Sequence, residues 1–273
     1  MKLSFSTLGC PYWDLDTVIT RAKMFGFQGI EIRGIKDQLD VTRLPEFRHR
    51  INETRDKFLD AEIELVCFAS SIRMSEPDKS KRAGHIEELK RYAERCEKFN
   101  APFIRIFGGN IGGLSWDQAI EQAAITLFQM IEILDDLDAK IIVETHEDWM
   151  AADHFKALME LVDSNQVGIL WDVNHPFMFI GEAPEQTWEK IGKWVYHTHW
   201  KDSKIAPDTA LGFTPCLMGE GDLPLRQIYD VLKQGGYIGY LSFEWEKRWH
   251  PELPDPEIAF PHYVEYMKRL MDK

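Results

Sequence analysis

The sequence is most informative first for what it lacks. Cysteine is sparse: Cys10, Cys67, Cys96 and Cys216 in 273 residues, with no CxxC pair. Thiols this scattered do not make a disulfide framework, and they fit a reducing compartment. Positive charge is in deficit, 32 Lys and Arg against 45 Asp and Glu, for a formal net charge of −13. A protein that grips a phosphate backbone needs a basic surface, so a nucleic-acid partner is not expected. No apolar run approaches the length of a membrane span. The opening MKLSFSTLGC carries one basic residue and no long apolar stretch, and reads as a first strand rather than a signal peptide. A cytoplasmic protein without a membrane partner is therefore expected. No linker, low-complexity tract or composition break divides the chain, and no GxGxxG follows the first strand.

What is present is alternation. LSFSTLG, GIEIRG, ELVCFASS, FIRIFGG, KIIVETH, VGILWDV, WVYHTHWKD and YLSFEWE read as eight strands. Between them run helical patterns such as DLDTVITRAKMFGF, with Asp14 or Asp16 as cap and Gly26 near its end, and the charged amphipathic KSKRAGHIEELKRYAERCEKFN. LPEFRHRINETRDKFLDAEI reads as one helix, and FPHYVEYMKRLMDK as the last. About eight βα units in one array predict an α/β fold, a single (β/α)8 TIM barrel spanning 1–273. An open doubly wound sheet ranks lower because the unit count fits closure.

In such barrels the chemistry sits at the C-terminal strand ends. Four consecutive strands end in Glu144, Asp172, His199 and Glu244. Taken singly, a strand-end acid is more often a surface group, and a strand histidine a hydrogen-bonded core residue. Asp172 alone reads equally as the cap of a turn signalled by Asn174 and Pro176. Together, three crowded carboxylates resist ionising unless a cation neutralises them. A divalent metal resolves this. Three carboxylates and one imidazole suit Mn²⁺ best, with Mg²⁺, Co²⁺ or Zn²⁺ as alternatives.

Residues two apart on a strand share a face, so His197 and His199 look into one space. His199 is nearer the rim and is the expected ligand, with His197 one layer deeper. His146, His175, His197 and Lys201 are candidate substrate contacts or proton carriers. Trp13, and Trp245 or Trp249 after the eighth strand, are candidate platforms for a sugar ring, although core packing is the plainer role for any one of them. FGGNIGG holds Gly108, Gly109, Gly112 and Gly113 but no lysine, and reads as a tight turn rather than a phosphate cradle.

In order and spacing, STLGCPYW, GIEIRG, FIRIFGG, IIVETH, WDVNH, HTHWKD, GEGD and GYIGYLSFEWE resemble the sugar isomerase/epimerase superfamily of xylose-isomerase-like TIM barrels, which also contains endonuclease IV (AP endonuclease family 2). The resemblance runs nearly end to end. It implies that Glu144, Asp172, His199 and Glu244 hold one divalent metal. It implies that Glu144 and Glu244 act as base and acid at a carbon beside a carbonyl, and that His175 contacts a substrate oxygen. The substrate implied is a small unphosphorylated sugar or polyol.

Two members of the superfamily pull in other directions. Inosose and dehydroshikimate dehydratases use a similar metal set, with loss of a β-hydroxyl needing only a placed acid such as His146, His175 or Lys201. Endonuclease IV needs extra histidines from strands three and four, which here end in FASS and FGGN. A barrel that binds a ligand without turnover would show a broken metal set, and this set is intact. HWKD departs from the Gly-Glu of the ketose 3-epimerases, which weakens transfer of their substrate preference. The loop containing Trp249 to Pro256 is expected to cover the sugar or to pack on a neighbouring subunit of a homo-oligomer.

Overall fold

A computed structural model describes residues 1–272. Its eight parallel strands close into a barrel in the order β1-β10-β7-β6-β5-β4-β3-β2. The strands are β1 (Lys2–Ser6), β2 (Gly29–Ile32), β3 (Glu64–Arg73), β4 (Phe103–Phe107), β5 (Lys140–Glu144), β6 (Val167–Asp172), β7 (Val195–Trp200) and β10 (Tyr240–Phe243). The TIM barrel read from the alternation is therefore present, with β10 as its eighth strand.

Helices cover the outside. They are α1 (Leu15–Phe25), α2 (Pro45–Arg48), α3 (Ile51–Ala61), α4 (Lys79–Phe99), α5 (Trp116–Ile131), α6 (Ala152–Val162), α7 (His175–Ile180), α8 (Pro184–Ile191), α9 (Leu225–Gln234) and α10 (Pro256–Met271). Local chemistry sets their ends. Asp14 Oδ1 accepts the Thr17 N–H at 2.9 Å to start α1, and Gly26 ends it in the left-handed region at φ +88°. Pro256, which needs no N–H partner, opens α10 four residues before its expected start.

Three local expectations are corrected. The segment 45–61 breaks into α2 and α3 around His49 and Arg50, whose amides both bond Pro45 O. Asn174 and Pro176 do not mark a bare turn but sit at the start of the short helix α7, where proline is tolerated. After β7 the chain forms an antiparallel hairpin, β8 (Asp202–Ile205) with β9 (Phe213–Cys216), where only a loop was expected.

The main core lies between barrel and helices, where Ile30, Ile32, Ile104, Ile106, Ile141, Val143, Ile169 and Trp171 are buried. A second, smaller cluster is formed by Val66, Cys67, Ile142 and Leu170 with Phe103, Tyr196 and Tyr240 against them. Phe103 and Tyr196 stack with ring centroids 6.3 Å apart and planes 5° apart. Alternation sends the neighbours of Ile141 and Val143 to the opposite face of β5, so this second cluster fills the barrel interior. Each fully buried aliphatic side chain there is worth about 1.5–3 kcal/mol.

The β6–β7 register decides what stands above that plug. Val195 pairs with Ile169, but His197 pairs with Leu170 and His199 with Asp172, so Tyr196 is an extra residue in a bulge. The bulge aligns both histidines with the inward-facing residues of β6. Gly168 makes room for it: a Cβ there would lie 2.1 Å from Tyr196 Cδ2.

Candidate active site

The four strand-end residues converge. One donor atom each from Glu144, Asp172, His199 and Glu244 lies within 4.8 Å of the others. His199 Nδ1 is 3.1 Å from Glu144 Oε1 and 3.3 Å from Glu244 Oε1. All four are buried, none more than 5% exposed. Asp172 is fixed from behind, because its Oδ1 accepts the backbone N–H of Asn174 at 2.8 Å and of His175 at 3.3 Å. Oδ1 thus caps the turn, while Oδ2 is left to face Lys201 and the other acids. Thr145 Oγ1 accepts the Asp172 N–H at 2.9 Å and ties the ends of β5 and β6 together.

Several charges here were not foreseen. Glu31, wholly buried on β2, places Oε2 2.8 Å from His199 Nε2 and 3.2 Å from His197 Nε2. Arg105 on β4 lies 3.3 Å from Glu144 Oε2 and packs its guanidinium 4.0 Å from the Phe107 ring centroid. Arg33, buried just after β2, bonds Ser71 Oγ at 3.0 Å. The available signal was a charged residue inside an otherwise apolar strand, GIEIRG and FIRIFGG, since such a strand buries charge only for a partner.

Lys201 spans the acids. Its Nζ is 2.9 Å from Asp172 Oδ2, 2.7 Å from Glu244 Oε2 and 2.7 Å from Glu246 Oε1. It does not pair with Asp202, which instead gathers the loop after the hairpin. Asp202 accepts the N–H groups of Ser203, Gly219 and Gly221 at 2.8 to 2.9 Å.

The other candidates fall at different depths. His175 is held by Nδ1 against Thr145 O at 2.8 Å, and its ring meets His146 at 4.8 Å, nearly perpendicular. His197 is wholly buried under His199 and near Phe103, which suits support of the site rather than substrate contact. Trp13 is half-buried, edge-on to Phe260 at 5.7 Å. Trp245 is a core residue, 1% exposed, with its indole N–H on Pro254 O at 2.9 Å, so the platform role offered for it does not hold. Trp249 is exposed on the rim loop.

The electrostatics follow from burial and pairing. Burial and the Glu244 charge push the Glu144 carboxyl up, but Arg105 and His199 outweigh them and bring it to about 2. Burial opposes ionisation of Glu244 too, yet His199 and Lys201 hold it well below the usual carboxylate range. Lys201 is held well above its ordinary value, because Asp172, Glu244 and Glu246 overcome its own desolvation. Burial and the neighbouring His175 depress His146, which stays neutral at pH 7.

The donor set suits a divalent cation. Glu144 Oε2 and Asp172 Oδ2 are buried and face charge rather than well-aligned hydrogen-bond donors, Arg105 at 3.3 Å and Lys201 at 2.9 Å. Glu31, Glu144, Asp172, Glu244 and Glu246 outnumber Arg33, Arg105, Lys201 and a protonated His199 by one charge, and a metal in place of the His199 proton would face an excess of two.

Fold and site define a (β/α)8 barrel with a buried cluster of groups that could hold a metal ion at its rim, and the comparisons specify it further. A family model described as xylose isomerase-like TIM barrel matches residues 19–270, and the chain belongs to that family. Fructoselysine 3-epimerase of Escherichia coli O157:H7 is 21% identical over 255 residues, 89% of this chain and 90% of that protein. Inosose dehydratase of Clostridium botulinum is 26% identical over 151 residues, 50% of this chain; the match spans 47% of that enzyme, about half its length. In three dimensions, the IolI protein with a bound zinc atom superposes with a TM-score of 0.80 at 18% identity, covering 99% of this chain and 96% of the other.

Proposed function

We propose that the protein is a divalent-metal-dependent sugar isomerase or epimerase that moves a proton α to a carbonyl of an unphosphorylated sugar or polyol. The observation that carries this reading is the buried convergence of Glu144, Asp172, His199 and Glu244, with donor atoms within 4.8 Å. These four would hold the ion, Mn²⁺ by preference for three carboxylates and one imidazole. A divalent ion bound there polarises the substrate carbonyl and stabilises charge developing on its oxygen.

The chain's own residues would do the rest. In the barrel order, Glu144 on β5 and Glu244 immediately after β10 flank Asp172 on β6 and His199 on β7. A substrate seated between them meets a carboxylate on either side. For inversion one enters the step as carboxylate and takes the proton while the other enters it as carboxylic acid and gives its proton to the opposite face, so the two exchange protonation states; a single carboxylate that takes a proton from one carbon and returns it to the neighbouring one isomerises instead. Without substrate both are held ionised, Glu144 by Arg105 and His199 and Glu244 by His199 and Lys201, after their burial is overcome, so either can serve as the base and the donor must take up its proton as substrate binds. His146 and His175 stand together beside them and suit contacts to substrate hydroxyls. The burial of the site keeps water from the carbanion.

A second reading, a dehydratase on the same site, is favoured by Lys201. Its ammonium touches Glu244 at 2.7 Å and is a placed proton donor for a departing β-hydroxyl. The inosose dehydratases among the relatives point the same way.

The test is incubation of metal-loaded protein in D₂O with unphosphorylated ketoses, aldoses and keto-inositols, followed by NMR of the α-protons. Deuterium entering one carbon, and ceasing in Glu144→Gln, is the expected result. The labelled product separates epimerase, isomerase and dehydratase. Absence of exchange across the panel by protein with bound metal would refute the proposed substrate class.

A further inference from the structure

Glu31 is not one of the four donors, yet it is wholly buried beneath them. Its Oε2 lies 2.8 Å from His199 Nε2. The opposite nitrogen of the same ring, Nδ1, faces Glu144 Oε1 at 3.1 Å and Glu244 Oε1 at 3.3 Å. The imidazole is therefore clamped between one carboxylate below and two above. An imidazole that donates Nε2–H to a carboxylate presents its Nδ1 lone pair at the other end of the ring, and that lone pair is what a metal needs.

His197 completes the clamp. Its Nε2 reaches the same Glu31 oxygen at 3.2 Å, while its Nδ1 has no hydrogen-bond partner among the described residues. The partnered nitrogen is then the one that carries the proton. Two N–H groups converge on one oxygen of Glu31, so the carboxylate is held as an anion at a fixed point. The sequence supplies both halves: the bulge at Tyr196 turns the histidines inward, and β2 brings Glu31 across the barrel to meet them.

We propose that Glu31 is the positioning residue of the metal centre: it fixes His199 in the Nε2–H tautomer, aims Nδ1 at the ion and raises the basicity of that nitrogen, with His197 holding Glu31 in register. This inference rests on the four-donor reading above. Glu31, His197 and His199 also have donor atoms close enough to hold an ion of their own. A second ion there, beside one at the four-donor site, would need His199 stripped of both ring protons to bridge the two, so one ion per chain is expected.

The experiment is Co²⁺ binding to the full chain, by competition with a chromophoric chelator, with the visible spectrum recorded at saturation. Wild type should bind one Co²⁺. Glu31→Gln keeps the size of the side chain and an acceptor oxygen but loses the charge, and should weaken binding about 10–100-fold. Its d–d bands should shift as the imidazole is no longer held. Glu31→Asp keeps the charge at a shorter reach and should recover part of the affinity, which a purely steric role would not allow.

A variant-free reading guards against a Glu31→Gln chain that fails to fold. In ¹⁵N-labelled wild type loaded with Cd²⁺, His199 should show metal coupling at Nδ1 and a proton on Nε2. Metal coupling at Nε2, a stoichiometry of two, or a Glu31→Gln affinity within threefold of wild type with an unchanged spectrum would overturn the proposal. Wild type that binds no Co²⁺ overturns the four-donor reading itself, and the role of Glu31 with it. That result differs from one in which metal binds and Glu31 is indifferent.

Discussion

Lys201→Met removes the one ammonium that lies among three carboxylates. In the wild type, Nζ is 2.9 Å from Asp172 Oδ2, 2.7 Å from Glu244 Oε2 and 2.7 Å from Glu246 Oε1, and the residue is 4% exposed. Breaking a buried ion pair by deleting one partner costs about 3–5 kcal/mol, because a buried charge is left uncompensated. The three contacts share one ammonium, so their losses do not add, and the same range applies to the group. For a chain of this size each kcal/mol moves Tm by about 2–4 °C, which puts the metal-free variant about 6–20 °C below wild type.

The loaded protein should behave differently. A divalent ion neutralises Asp172 and Glu244, and the variant then lacks only the contact to Glu246, whose side chain is 25% exposed. Such a contact is worth about 1 kcal/mol or less. Metal should therefore stabilise Lys201→Met by about 2–4 kcal/mol more than it stabilises wild type, the difference between the two costs. Urea denaturation with chelator and with saturating Mn²⁺ measures both increments. Equal metal increments in the two proteins, or a metal-free variant within about 1 kcal/mol of wild type, would refute the reasoning.

Two further predictions concern the frame of the site. Asp202→Ala should cost about 3 kcal/mol, since the N–H groups of Ser203, Gly219 and Gly221 lose their acceptor together; faster amide exchange at Gly219 and Gly221 than elsewhere in the loop checks it. Asp40 accepts from Arg91 at 2.8 Å and Arg43 at 2.9 Å, and although burial opposes ionisation, bonds from Thr42, Arg91 and Arg43 hold its carboxyl below the usual value. A carboxyl depressed on folding contributes stability above its unfolded pKa and loses it as pH falls through the folded value. Asp40→Asn should therefore cost about 1 kcal/mol at pH 7 and progressively less below pH about 4, read from chemical denaturation at each pH.

Much of this architecture was legible because strand ends carry it. IIVE, ILWD and LSFE each run apolar and then stop in an acid, and in a closed barrel such stops share a rim. The second layer was harder to read. Glu31 sits inside GIEIRG and Arg105 inside FIRIFGG, and their partners depend on which strand faces which across the barrel, a register that local periodicity does not contain. The depth of His197 below His199 followed from the strand period, but the partners of Lys201 did not: its place on the chain pointed to the right region, while its contacts to Asp172, Glu244 and Glu246 depend on how the strand ends meet at the rim. The hairpin 202–216 escaped because its strands are four residues each and partly exposed, with too little alternation to register.

The central claim is that one divalent ion sits among Glu144, Asp172, His199 and Glu244. The most direct measurement is the stoichiometry and affinity of Mn²⁺ by equilibrium titration of chelator-stripped protein, in wild type and in His199→Gln and Asp172→Asn. One ion per chain in wild type, with affinity falling at least tenfold in each variant, is the predicted result. No bound ion, or an ion retained unchanged when His199 and Asp172 are both replaced, would contradict it.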